Sequence, residues 1–132
     1  MELLQQELTD KILKAFYTVY NKMGYGFSEK IYENSLVIEM KKMGLDCQQQ
    51  RRIPVYYESQ WVGEYQLDIT VNNLVILELK AVKTLTPEHG IQLFNYLKAT
   101  HMEVGYVLLF GEKPEFKRVL FTNDRKRGRN AA

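Results

Sequence analysis

The sequence predicts an α/β fold in which a mixed β-sheet is flanked by helices, and three observations support this prediction. Apolar residues recur every three or four positions near the N-terminus but every second position from Ile53 onward. The segment 74–81 is apolar at almost every position, which is typical of a strand buried on both faces. Thr86, Pro87 and Glu88 then form a helix-start signal. The predicted element order is α-α-β-β-β-α-β-β.

Two helices are predicted before the first strand. The first should run from about residue 3 to 22, because its apolar residues form one helical face; they are Leu4, Leu8, Ile12, Phe16, Val19 and Met23. Ser28 is the candidate N-cap of the second helix, and Gly44 is its natural stop. The apolar positions of this second helix include Ile31, Leu36, Ile38, Met40 and Met43.

The other elements follow from period-two patterns and turn residues. Turns are predicted around Ser59-Gln60 and at Asn72-Asn73. The predicted elements are strands over about 53–58, 62–71 and 74–81, a helix over about 87–100, and strands over about 103–110 and 116–121.

Length and charge predict one domain with a short basic extension. The 132 residues are 45% hydrophobic, which suffices for one packed core, and we assign it to residues 1–122. Residues 123–132 carry a net charge of +3, whereas the rest of the chain sums to −1. Such a tail either contacts nucleic-acid phosphates or is solvated and flexible, and the second interpretation is favoured.

Several function classes are excluded by composition. The longest apolar runs are far shorter than a membrane span, and the first residues lack the features of a secretory signal, so we expect a cytoplasmic protein without a membrane partner. Cys47 is the only cysteine, and His89 and His101 are the only histidines. An internal disulfide is therefore excluded, and any metal ion should be held by oxygen ligands.

Acidic side chains on neighbouring strands form the candidate site. Side-chain alternation gives the second strand a polar and an apolar face. The polar face has Glu64, Gln66, Asp68 and Thr70, and the apolar face has Tyr65, Leu67, Ile69 and Val71. Glu78 and Lys80 share a face of the third strand. Matching the polar faces places Asp68 opposite Glu78, which requires an odd-length loop or a β-bulge at Asn72-Asn73.

Two converging carboxylates repel each other unless a proton or a cation lies between them. Because only oxygen ligands are at hand, the cation would be Mg²⁺ or Mn²⁺. Lys80 could orient a water molecule or stabilise the charge that develops when water attacks phosphorus. This interpretation predicts metal-assisted phosphodiester hydrolysis. The alternative is a cross-strand ion pair at the solvent edge of the sheet.

Several ordered motifs resemble those of one protein family. They are Gly26-Phe27-Ser28-Glu29-Lys30-Ile31-Tyr32, Asp68, Glu78-Leu79-Lys80 and Gln92-Leu93-Phe94-Asn95-Tyr96. Together they resemble the GxxExxY protein family, which is placed in the PD-(D/E)XK nuclease superfamily. The resemblance covers about residues 8–120 and implies a restriction-endonuclease-like fold. Leu67 stands where the superfamily name has a proline.

The resemblance also implies roles for the acidic residues and the lysine. Asp68 and Glu78 would bind the metal ion, and Lys80 would assist the attacking water. Glu29 resembles the acidic residue of the preceding helix that completes the metal site. Glu33 is the reserve for Glu29, although it is more readily interpreted as an ordinary charge on the helix surface.

Two residues of the third helix are also implicated. Gln92 and Tyr96 resemble the Gln-x-x-x-Tyr motif, which would position the substrate or order the active site, and their spacing puts them on one helix face. His89 resembles a histidine that often precedes this glutamine, and it is either a neutral hydrogen-bonding residue or a catalytic one.

The predicted function is a metal-dependent nuclease that acts on nucleic acid, with DNA favoured over RNA. The alternative is a catalytically silent module on the same fold that binds nucleic acid or protein. A third interpretation is that the domain assembles as a homodimer and is active only in that form.

Overall fold

A computed structural model describes residues 3–126 of the chain, so Arg127 and Arg129 of the predicted basic tail lie outside the described residues. The elements are α1 (Gln6–Met23), α2 (Glu29–Lys42), β1 (Cys47–Tyr57), β2 (Gln60–Val71), β3 (Val75–Lys80), α3 (Pro87–Lys98), β4 (Val104–Phe110) and β5 (Pro114–Leu120), followed by a 3₁₀ turn at Asn123–Arg125. The predicted α/β class and the order of helices and strands are confirmed. No helix within residues 3–126 has the length and apolarity to cross a membrane.

The five strands form one mixed sheet in the order β1-β2-β3-β4-β5. Neighbouring strands are antiparallel except β3 and β4, which are parallel and are connected through α3. One hydrophobic cluster joins α1 and α2 to one face of the sheet, and a second joins α3 to the opposite face. This arrangement is consistent with the restriction-endonuclease-like fold that the resemblance implies.

The buried face of α2 differs from what its apolar residues alone suggest. Leu36 and Met40 are buried, but Ile31 and Ile38 are 43% and 58% exposed. Apolar residues are spread around this helix, so periodicity does not single out the face that packs on the sheet. The buried residues are Tyr32, Glu33, Leu36, Val37 and Met40.

Strand β1 begins at Cys47, six residues before the predicted start at Ile53. Its first half is largely polar and lies at the edge of the sheet, where it pairs with the end of β2 from Cys47↔Val71 onward. An edge strand needs little apolar surface because backbone hydrogen bonds hold it to its neighbour. The alternation rule therefore missed this half of the strand.

The turn between β2 and β3 has the odd length that the carboxylate argument requires. The last pair is Val71↔Val75, so residues 72–74 form a three-residue loop, and this prediction is confirmed. Asn72 and Asn73 both have positive φ angles, 52° and 54°, which asparagine tolerates better than most residues. The pairs Thr70↔Ile76 and Ile69↔Leu77 follow, and their register leads to Asp68 and Glu78.

Beyond Ile69↔Leu77 the strands β2 and β3 separate. The remaining length of β2 pairs only with β1, whereas β3 continues to Lys80 alongside β4. We call this divergence the fork. Asp68 and Glu78 are the first residues past the last pair, so they lie at its base.

Strand β2 also exchanges its faces at Asp68. Ile69 packs in the cluster with α1 and α2, but Leu67 packs in the cluster with α3. The prediction that these two residues share a face was therefore wrong. The pairing of β1 with β2 skips residue 68, and Gln50, which would lie opposite, has a φ angle of 53°. This local break in both strands explains the exchange.

Gly111, directly after β4, lies too close to backbone atoms for a larger residue. A Cβ atom there would be 2.7 Å from the carbonyl oxygen of Val82 and 3.1 Å from that of Lys83. We expect Gly111→Ala to lower the free energy of unfolding by about 1–3 kcal/mol, the usual cost of overpacking. Gly63→Ala is the control, because its Cβ would meet no heavy atom within 4 Å. Chemical denaturation checks this prediction, and equal loss in both variants would contradict it.

Candidate active site

Asp68 and Glu78 bridge the base of the fork through reciprocal hydrogen bonds. The backbone N–H of Asp68 donates to Glu78 Oε2 at 2.9 Å, and the backbone N–H of Leu79 donates to Asp68 Oδ2 at 2.9 Å. Carboxylate oxygens thus bind the amides of two strands that no longer pair with each other. Glu78 is only 3% exposed, while Asp68 is partly buried. The predicted opposition of the two carboxylates is confirmed.

Burial of this pair opposes full ionisation. Desolvation, followed by the charge of Asp68, raises the pKa of Glu78 to about 8. Desolvation also raises the pKa of Asp68, with further contributions from the charges of Glu33 and Glu29. Two buried like charges this close are costly, so the metal-free pair retains a proton near neutral pH.

Lys80 lies near the carboxylates without forming an ion pair with them. It is partly exposed, and its charge lowers the pKa values of both Asp68 and Glu78. No ion pair within 4.0 Å joins its ammonium group to either carboxylate. The cross-strand ion pair considered from the sequence is therefore wrong.

Glu29 approaches the site from the first position of α2. It is exposed, and its Oε2 accepts a hydrogen bond from the backbone N–H of Ala81 at 3.4 Å. Its charge raises the pKa values of Asp68 and Glu78. Glu29 therefore lies beside the carboxylate pair, near the end of β3.

Tyr32 fixes the loop that precedes Glu29. Its hydroxyl donates to the carbonyl oxygen of Gly24 at 2.5 Å and accepts from the backbone N–H of Phe27 at 3.2 Å. Its buried ring stacks on Phe110 with a centroid distance of 4.2 Å. These contacts hold the start of α2, and with it Glu29, against the core.

The structure brings Tyr96 to the pair but leaves Gln92 at the surface. Tyr96 is buried against Tyr65, with ring centroids 4.8 Å apart. Burial raises the pKa of its phenol, and the charges of Glu78 and Asp68 raise it further, which shows that it lies near them. Gln92 is exposed, and its side chain makes no hydrogen bond to any residue in the described range 3–126.

His89 has a structural contact at the start of α3. The backbone N–H of Thr86 donates to His89 Nδ1 at 3.2 Å. With the side chain of Thr86, which accepts from the backbone of His89, this contact completes a capping box at the N-terminus of α3.

Glu33 was undervalued by sequence reasoning. It is 4% exposed rather than an ordinary surface charge. A signal for its burial was present in the sequence, because Glu33 shares a helix face with Leu36, Val37 and Met40.

The donor set suits a hard divalent cation. Among the residues from 3 to 126, no group of three or more His, Cys, Asp or Glu side chains is arranged to hold a metal ion. Asp68 Oδ1 and Glu78 Oε1 are the oxygens not bound to the strand amides. Mg²⁺ commonly uses one or two carboxylates and completes its octahedron with water and phosphate oxygens. The pair therefore fits Mg²⁺ or Mn²⁺ better than zinc.

Residues 6–119 match the PD-(D/E)XK nuclease superfamily. The chain belongs to this superfamily. Searches of curated proteins and of solved structures found no match. In this PD-(D/E)XK domain, Leu67 occupies the position before Asp68 and is fully buried against α3. Packing at that position is thus supplied by an aliphatic side chain.

Proposed function

We propose that this domain hydrolyses phosphodiester bonds of nucleic acid, with DNA favoured over RNA. Asp68 and Glu78 would hold Mg²⁺ or Mn²⁺. Glu29, which is not grouped with them in the described structure, would have to move from its contact with the Ala81 amide to become a third ligand. The observation that carries the proposal is the pair of buried carboxylates at the base of the fork, whose repulsion a divalent cation would relieve. Superfamily membership supports a nuclease.

The chain's own groups have distinct tasks in this proposal. A divalent cation bound there would polarise a phosphate and make a water molecule more acidic. Glu78 must first lose its proton, so that both carboxylates are ionised. Lys80 stabilises the negative charge that accumulates on the phosphoryl oxygens when water attacks phosphorus, or it orients that water. Gln92 and Tyr96 position the substrate from α3.

Three further properties of the protein stay predictions. They are membership of the GxxExxY family, a cytoplasmic location and assembly as a homodimer. The silent binding module is not favoured by the superfamily match, and it becomes one outcome of the test below.

Metal titration by calorimetry tests the site without a choice of substrate. We expect the wild type to bind Mn²⁺ and Mg²⁺. Glu78→Gln should weaken Mn²⁺ binding by more than about 100-fold, since even groups that only orient metal ligands commonly contribute 10–100-fold. Glu115→Gln removes the same charge at an exposed position on β5, and this variant should bind Mn²⁺ as the wild type does.

Undiminished binding in Glu78→Gln would reject Glu78 as a ligand. If no protein binds metal alone, the titration is repeated with a phosphorothioate oligonucleotide, because phosphate oxygens often complete a Mg²⁺ site. Absence of binding in both formats would contradict the metal-dependent reaction and favour the silent module.

A further inference from the structure

A carboxylate that the proposed reaction does not use is buried between α2 and β1. Glu33 Oε1 accepts a hydrogen bond from Gln50 Nε2 at 2.8 Å. Its Oε2 accepts from Gln49 Nε2 at 2.7 Å and from Lys30 Nζ at 3.2 Å. Hydrogen bonds to a charged acceptor are stronger than neutral ones, so this buried contact holds the two glutamines firmly.

Gln50 needs such a restraint because of its backbone. Its φ angle of 53° lies in the left-handed region, which is unfavourable for residues other than glycine. The pairs Gln49↔Ile69 and Arg51↔Leu67 place Gln50 opposite Asp68, where the ladder skips one pair. The strained residue therefore lies at the point where β2 changes faces.

We propose that Glu33 is a positioning residue that fixes the geometry of the Asp68–Glu78 pair through Gln50. By holding the backbone of Gln50 in the left-handed conformation, Glu33 prevents Gln50 from pairing with Asp68 across β1 and β2. Asp68 can then turn toward β3, accept from Leu79 and donate its own amide to Glu78. The consequence for metal binding rests on the proposed function, but the effect on the strands does not.

The contacts of Glu33 fit a positioning role better than a role as a further metal ligand. Both of its oxygens already accept hydrogen bonds, from three donors on α2 and β1. Such a carboxylate is satisfied without a cation. Its bonds end on the strand that faces Asp68 and not on the carboxylate pair.

Amide hydrogen exchange measured by NMR tests this positioning role directly. The reporters are the N–H groups of Asp68 and Leu79, which donate to the two carboxylates. Val107, in the cluster with α3, reports global opening. In Glu33→Gln we expect exchange at Asp68 and Leu79 to be about 10-fold faster relative to Val107, since the left-handed state loses its support. Glu39→Gln, the same change elsewhere on α2, should have no such effect.

Glycine at position 50 distinguishes positioning from simple packing. Glycine adopts positive φ readily, so Glu33→Gln with Gln50→Gly should restore slow exchange at both amides. With Glu33 intact, the Asp68 and Leu79 amides should exchange fast in Gln50→Ala and slowly in Gln50→Gly. These two variants keep the test valid even if Glu33→Gln does not fold. Wild-type protection in Glu33→Gln or Gln50→Ala, or failure of glycine to restore it, would overturn the proposal.

Metal affinity provides the second measurement. Glu33→Gln should bind Mn²⁺ about 10-fold more weakly than the wild type, as expected for a group that orients ligands, and the glycine double variant should recover. If the wild type binds no Mn²⁺, the proposed function fails, whereas the exchange rates still decide whether Glu33 is a positioning residue.

Discussion

Replacing Asp68 by asparagine is expected to reduce metal-dependent cleavage by about 10³-fold or more, while the domain stays folded. The substitution keeps the shape of the side chain, so the oxygen of the new carboxamide can still accept from the Leu79 amide. It removes a partly buried negative charge next to Glu78, so stability should not fall. Turnover of labelled DNA and RNA panels in Mg²⁺ or Mn²⁺, alongside thermal unfolding, checks this expectation.

Lys80→Ala is the companion variant, with an expected loss of about 10²–10³-fold in turnover. Lys83→Ala is its control, because Lys83 lies in the same chain region but pairs with Glu112, at 3.6 Å. Cleavage by Asp68→Asn and Lys80→Ala at the wild-type rate would reject the assigned roles. Activity that persists in EDTA would reject the metal requirement itself.

The metal-free domain is expected to lose stability as pH rises from 5 to 8. The pKa of Glu78 is about 8 in the folded domain, against an ordinary value of 4.5. Between these values the folded state holds a proton that the unfolded state has released. The free energy of unfolding should therefore fall by about 1 kcal/mol per pH unit through this group. Urea denaturation at successive pH values in EDTA measures the slope.

Glu78→Gln isolates this contribution. The variant cannot ionise at position 78, so its slope between pH 5 and 8 should be shallower and its stability at pH 8 higher than that of the wild type. Glu115→Gln should retain the wild-type slope. Parallel curves for the wild type and Glu78→Gln would show that burial does not raise the pKa of Glu78 as described.

The elements that could be predicted from the sequence are those with a local cause. Thr86 and Pro87 start α3 through their own backbone preferences, and Gly44, with a φ angle of 81°, ends α2. The first half of β1 was missed because its residues Cys47–Arg52 owe their strand geometry to pairing with β2. That pairing depends on a segment more than ten residues further along the chain.

The features of the candidate site also separate into those with a local cause and those that depend on distant parts of the chain. The opposition of Asp68 and Glu78 followed from side-chain alternation and loop parity, both of which are local rules. The exchange of faces at Asp68 could not be predicted, since it depends on a left-handed Gln50 supported by Glu33 from another element. The two hydrophobic clusters are needed to show that Leu67 and Ile69 pack on opposite faces of the sheet.

The three-residue loop at 72–74 limits which insertions and deletions this domain can tolerate. If the loop keeps three residues, gain or loss of a single residue would shift the partner of Asp68 to Leu77 or Leu79, whose side chains pack with α1 and α2. With the same loop, a register shift of two residues would leave both carboxylates on one face but no longer opposite each other. The composition of this turn is restricted as well, because Asn72 Oδ1 accepts from the backbone N–H of Asp46 at 2.8 Å and Asn73 Oδ1 accepts from Arg51 Nη1 at 2.6 Å. A substitution at either asparagine would lose one of these contacts and would place another residue at a positive φ angle.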